Sequence, residues 1–173
     1  LTNTMLVALS SLASRQSKAT KLTNKDVHQL LNYCATHPTA VLQYHGSNMV
    51  LQIHSNAGYL NESNARSRAG GHFPQKITQQ TTTETGAILY PTGILKDVAS
   101  AASEAEYSAL FVNGKEGTIS QQTLSDMGYQ QPATTITTDN STANGIANDT
   151  INKNNGHAQS TCSTIGFVTA SYR

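Results

Sequence analysis

Val50-Leu-Gln-Ile-His-Ser-Asn56 alternates as a half-buried β-strand does. Met49, Leu51 and Ile53 fall on one face, and Val50, Gln52, His54 and Asn56 fall on the other. Two carboxylate-bearing segments follow downstream. Ser103-Glu-Ala-Glu-Tyr-Ser-Ala-Leu110 starts a helix, and Thr138-Asp-Asn-Ser-Thr-Ala143 ends a strand. Carboxylates at a strand end, a helix start and a second strand end can converge on a divalent cation, because hard cations prefer charged oxygen. Here the first of the three positions, Asn56, is an amide.

Working outward, Thr4–Ala13 carries Met5, Leu6, Leu9 and Leu12 at helical spacing. Thr23-Asn-Lys-Asp26 offers N-cap chemistry for a second helix through Val27, Leu30, Leu31 and Cys34. His37-Pro38 closes that helix, since proline disfavours α geometry in the residue before it. Val41–Tyr44 is strand-like. After the Val50 strand, Gly58 and Asn61–Asn64 predict a turn, and Arg66–Phe73 a return strand weakened or bulged by Gly70 and Gly71. Gln75–Thr85 reads as a polar loop. Gly86–Tyr90 and Ile94–Val98 continue the β region around a Pro91-Thr-Gly93 turn. Ser103 to about Gly128 is a helix with Tyr107, Leu110, Phe111 and Gly114 on one stripe. Gly114 and Gly117 weaken its middle by roughly 1 kcal/mol each relative to alanine. Thr134–Thr138 is a strand, Asn140–Ile146 a helix, and no period survives beyond Asp149. The order predicts an α/β fold: three antiparallel strands joined through a helix to a parallel partner, with helices in front.

Bulk properties narrow the function. The 173 residues make one domain, or one with an appendage. The 37% hydrophobic share predicts a modest core. A net charge of +1 steers nothing toward nucleic acid globally, so basic contacts must be local. Arg66 with Arg68, and Lys18 with Lys21, are the local candidates; a solvated loop is the alternative for each. Cys34 and Cys162 lack ligand spacing and read as idle thiols. The six histidines form no HExxH pair. The sequons at Asn61, Asn140 and Asn148 read as chance matches without a secretory signal. No apolar run approaches the ~20 residues that span a membrane. The chain begins at Leu1 and reads as a piece of a longer product.

Four motifs taken in order carry a resemblance: His54-Ser-Asn-Ala-Gly-Tyr-Leu60, Ala65-Arg-Ser-Arg-Ala-Gly-Gly-His-Phe73, Ala102-Ser-Glu-Ala-Glu-Tyr107 and Thr138-Asp-Asn-Ser-Thr-Ala143. Together they resemble the ribonuclease H domain of a copia-type retrotransposon polyprotein. Met5-Leu-Val-Ala-Leu9, Ser11-Leu-Ala13 and Leu30-Leu-Asn-Tyr-Cys-Ala-Thr-His-Pro38 resemble the end of its reverse transcriptase and the connection. The resemblance implies connection helices over 1–45, a ribonuclease H-like mixed sheet flanked by helices over 46–150, and a degenerate tail over 151–173.

It also implies an activity, hydrolysis of RNA in RNA–DNA hybrids with two Mg²⁺ or Mn²⁺ ions about 4 Å apart. The family's first aspartate falls on Asn56, its glutamate on Glu106 (Glu104 being second choice), and its next aspartate on Asp139. Its last aspartate has no counterpart, because no Asp or Glu follows Asp149. The implied partners are the hybrid, held by Arg66, Arg68 and Lys76 with the loop after it, and the upstream reverse transcriptase. The implied location is an intracellular particle or the nucleus. With two of four acidic ligands left, the expected domain is an impaired nuclease. A non-catalytic remnant or hybrid-binding module is the alternative. Ile165-Gly-Phe-Val-Thr-Ala-Ser171 is compatible with a frameshift between Lys153 and Cys162.

Taken singly, these residues have plainer readings. Ser103 and Glu106 have the spacing of a capping box. Asp139 before a polar helix start suits an N-cap. Asn56 at a strand end suits a turn.

Overall fold

The computed structural model describes residues 5–39, 43–77 and 85–148, and the backbone of 163–166. The frameshift reading falls largely outside these residues. The chain divides into two compact units, Leu1–Gln43 and Tyr44–Arg173.

In the first unit, α1 (Leu6–Ser14) and α2 (Lys21–Thr36) pair across a short 3₁₀ turn at Gln16–Lys18. The α2 start lies upstream of the expected Thr23–Asp26 signal. Thr20, in extended geometry, accepts from the Thr23 amide at 3.3 Å, and Thr23 Oγ1 accepts from the Thr20 amide at 3.2 Å. This is a reciprocal capping box in which threonine takes the usual glutamate position. Arg15 ties α1 to α2 through Asp26 at 2.8 Å, and the free thiol Cys34 lies 3.2 Å from the Met5 sulfur.

The second unit is a mixed α/β arrangement, a mainly antiparallel sheet with helices. Its strands are β1 (Val50–Glu62), β2 (Arg66–His72), β3 (Gln75–Lys76), β4 (Thr92–Ile94), β5 (Thr135–Thr138) and β6 (Ser163–Gly166). Its helices are α3 (Ala102–Asp126) and α4 (Ser141–Ala147). The sheet order is β4-β2-β1-β5-β6, with β3 also on β1. β2 and β3 run antiparallel to β1, and β4 antiparallel to β2; β5 runs parallel to β1 and β6 antiparallel to β5.

Several boundaries differ from expectation. β1 does not turn at Gly58. It continues to Glu62 through a register shift, and Asn64 and Ala65 turn the chain in left-handed conformations. Pro91-Thr-Gly93 is not a turn, because Thr92–Ile94 is strand β4; beyond Ile94 the expected strand is absent. Gly86–Tyr90 contributes only a Phe73–Leu89 bridge. Gln43 and Tyr44 are not in a strand, and residues 41–42 of that expectation lie outside the described set. Ser163–Gly166, in a region without legible period, pairs with β5. A neighbouring strand supplies the hydrogen bonds that local sequence could not announce.

The main core is Leu51, Ile53, Phe73, Leu110, Leu124, Ile136 and Ala143. A second cluster joins Ala69, Leu95, Ala99, Ala105 and Ala109, with Ala57 against it. On α3 the buried face runs through Ala105, Glu106, Ala109, Leu110, Asn113, Gly114, Gly117, Gln121 and Leu124. The expected stripe is therefore only half right: Leu110 and Gly114 face inward, while Tyr107 and Phe111 are 43% and 65% exposed. Small residues form the inward face because the helix lies close to the sheet. A Cβ at Gly117 would sit 2.3 Å from Ile53 Cδ1. Gly71 does not bulge β2. It leaves room for Asn113, whose Oδ1 would be 2.5 Å from an added Cβ.

Candidate active site

Three chain segments meet at one corner of the sheet. The parallel register pairs His54 of β1 with Thr137 of β5. Extended by two residues, that register would bring Asn56 of β1 level with Asp139, which lies just past the end of β5. Asn56 is exposed within β1, opposite Gly70, so it is not a turn residue. Asp139 is exposed just beyond the end of β5.

Asp139 does not cap α4. Asn140 does, its side chain accepting the Ala143 amide at 2.9 Å. The Ser103–Glu106 capping box is likewise absent. Ala101 is the N-cap of α3, and Glu104 takes the local donors, the Ser100 amide at 2.7 Å and the Ser100 hydroxyl at 2.6 Å. Those two bonds hold the exposed Glu104 carboxyl below its ordinary pKa. The plainer roles for Glu106 and Asp139 are thus filled by neighbouring residues.

Glu106 is buried and reaches β1, where its Oε1 accepts the Ala57 amide at 2.9 Å. Its Oε2 is buried without a hydrogen-bond partner. Burial raises the Glu106 pKa, the Ala57 amide opposes that shift, and the Asp139 carboxylate adds to it. That mutual repulsion marks Glu106 and Asp139 as electrostatic neighbours. A buried carboxylate oxygen without a partner is costly, and a bound proton or a cation would relieve it.

A stability test follows from the sign. The pKa in the folded chain lies above the ordinary 4.5, so the folded state holds the Glu106 proton more tightly than the unfolded state. This contribution to stability is complete below 4.5 and is lost as pH rises through the folded value. Glu106→Gln keeps the acceptor for Ala57 and removes the charge. Thermal unfolding should show the variant more stable than the parent at pH 7 and level with it near pH 4. A parent at least as stable at pH 7, without divalent ions, would contradict this account.

Nothing in the linear pattern announced Asn113. Its side chain lies on the buried face of α3 and donates to Ser55 Oγ at 2.8 Å and to the Gly70 carbonyl at 3.0 Å. It ties β1 to β2 beside Asn56. The only available signal was an amide at core spacing on a helix. Nor did the scattered histidines suggest that His54 and His72 pair across strands, with ring centroids 5.7 Å apart.

The expected basic contacts do not gather here. Arg66 is exposed at the hairpin. Arg68, expected beside it as a second phosphate contact, is buried and paired with Glu62. Lys76 pairs with Val50, six residues from Asn56 and about 20 Å away at strand spacing. Among the described residues no three His, Cys, Asp or Glu side chains are placed to hold a metal ion, and no helix is long and apolar enough to cross a membrane. Comparison with protein-family models, curated proteins and solved structures finds no match to the chain.

Proposed function

We propose that residues 46–150 are a ribonuclease H-like domain of a copia-type retrotransposon polyprotein, descended from an enzyme that cleaves RNA in RNA–DNA hybrids and impaired in that reaction here. One observation carries the reading. Glu106, buried and half-satisfied, reaches the backbone beside Asn56 and feels Asp139. These are the three positions that the resemblance selects from segments far apart in sequence. Strand order supports the finer fold assignment, with antiparallel β1, β2 and β4 followed by α3 and a strand parallel to β1. The upstream reverse transcriptase is the proposed companion, and an intracellular particle or the nucleus the proposed setting.

By charge, two carboxylates and an amide would suit one Mg²⁺ or Mn²⁺ better than two. Glu106 and Asp139 would hold it, with the Asn56 amide oxygen as a neutral third donor. Two divalent ions about 4 Å apart repel by about 4 kcal/mol even in bulk water, and two carboxylates offset only part of that. Bound metal would supply an acidified water and charge stabilisation at the scissile phosphate. The chain itself supplies positioning. The Ala57 amide fixes the Glu106 carboxylate, and Asn113 ties Ser55, the residue before Asn56, to Gly70, its partner across the strands.

The amide at position 56 favours a second reading, a module that holds hybrid without cutting it. Hybrid is recognised through shape, phosphates and 2′-hydroxyls, so binding can outlast catalysis. The chain should bind a labelled RNA–DNA hybrid in Mg²⁺ or Mn²⁺ and leave it intact. Affinity should fall with salt, and Arg66→Ala should reduce the salt slope by about one. Absence of binding at low salt would remove both readings. Rapid cleavage by the parent would remove the assignment of Asn56 as the lesion.

A further inference from the structure

Among the described residues, the side of the second unit away from Asp139 ends in a sheet edge with no further strand on it, beside an apolar groove. β4 is the last strand of the path among the described residues. Its inner groups are used by β2: the Gly71 amide donates to Pro91, the Leu95 amide donates to Ser67, and Gly93 stands opposite Ala69. Antiparallel alternation then turns the amides and carbonyls of Thr92 and Ile94 outward. A cavity of roughly 800 Å³ lies along this edge, between β4 and α3. Its walls include Ile94, Tyr107, Phe111 and Val112, which are 36%, 43%, 65% and 39% exposed. Gly93 faces the α3 side, and a Cβ there would meet nothing within 4 Å.

We infer that this edge and groove form a two-fold interface with a second copy of the chain, β4 pairing antiparallel with β4 of the partner about Gly93. In that register Thr92 stands opposite Ile94 of the other copy at both ends. All four outward amides and their matching carbonyls are then satisfied. The two-fold axis is perpendicular to the sheet, so both α3 helices lie on one face. The empty space over the two Gly93 residues receives the Phe111 and Tyr107 side chains.

Charge selects the occupant. The cavity lining holds Lys96 and Lys115 against Asp97 and Glu116, a balanced set that suits a like surface. It offers no net attraction to a phosphate backbone or a strongly acidic segment. Pro91 and Lys96 flank the strand and limit pairing to Thr92–Ile94, which favours a closed dimer over open-ended strand addition.

The test is sedimentation of the whole chain at rising concentration, alone and as two variants. Phe111→Glu changes an exposed side chain on the groove. Ile94→Pro removes an outward amide that β2 does not use. The parent should dimerise at micromolar concentration, and each variant should stay monomeric with an unchanged far-UV circular dichroism spectrum. A parent that stays monomeric into the high-micromolar range overturns the inference, as does a dimer indifferent to both substitutions. Hybrid binding is read separately, so failure here leaves the proposed function standing.

Discussion

Asn56→Asp is expected to give the chain Mn²⁺-dependent cleavage of an RNA–DNA hybrid on the order of 10²-fold or more above the parent. On the proposed reading, three features favour this gain. Glu106 is held by the Ala57 amide, Asp139 follows the strand that runs parallel to β1, and Asn113 ties the Ser55 hydroxyl of β1 to the Gly70 carbonyl of β2. A carboxylate at 56 adds the third negative charge to a corner that now has two. It also turns a set fit for one ion into one nearer to two. Mn²⁺ should raise the thermal midpoint of the variant more than that of the parent, since binding to the folded state alone stabilises it. Cleavage in the variant alone identifies Asn56 as the lesion. Silence from both, with the metal-induced shift present, moves the fault away from position 56. Without that shift the metal centre itself is refuted.

The second large effect is one of stability. Gly117→Ala should destabilise the fold by about 1–3 kcal/mol, the usual cost of overpacking. Helix propensity alone predicts the reverse, a gain near 1 kcal/mol. Packing wins because the new methyl would fall 2.3 Å from Ile53 Cδ1, and Ile53 is 1% exposed in a core that leaves that methyl little space to retreat into. Ile53→Val deletes that atom and should itself cost about 0.5–1.5 kcal/mol. Combined, the two changes should cost clearly less than their sum, with coupling of roughly 0.5–3 kcal/mol. Denaturant titration of the four proteins decides it. Strict additivity would show that Gly117 is not there to admit Ile53.

The same residue shows how far a sequence can be read. Gly117 in a helical run looks like a weak point, and only the facing strand reveals it as a fitted one. Tyr107 and Phe111 share a helical stripe with Leu110, yet they lie outside, because the sheet takes the small-residue face instead. Hydrophobicity ranks residues for burial. It does not say which face has room for the backbone to approach. Arg68 makes the converse point: its charge suggested a phosphate contact, but Glu62, brought alongside by the hairpin, pairs with it in a buried position.

Local pattern determined the period-2 alternation of β1, the helices at α2 and α3, and the strand at Thr135–Thr138. Each of these rests on spacing within a few residues, where the chain's own geometry suffices. Tertiary structure alone decided the rest. It gave the capping duties to Glu104 and Asn140, sent Glu106 across to Ala57, made a strand of Thr92–Ile94 and recruited Asn113. Every one of those outcomes depends on a partner more than 20 residues away or on competition between neighbouring donors, and neither is encoded in local periodicity.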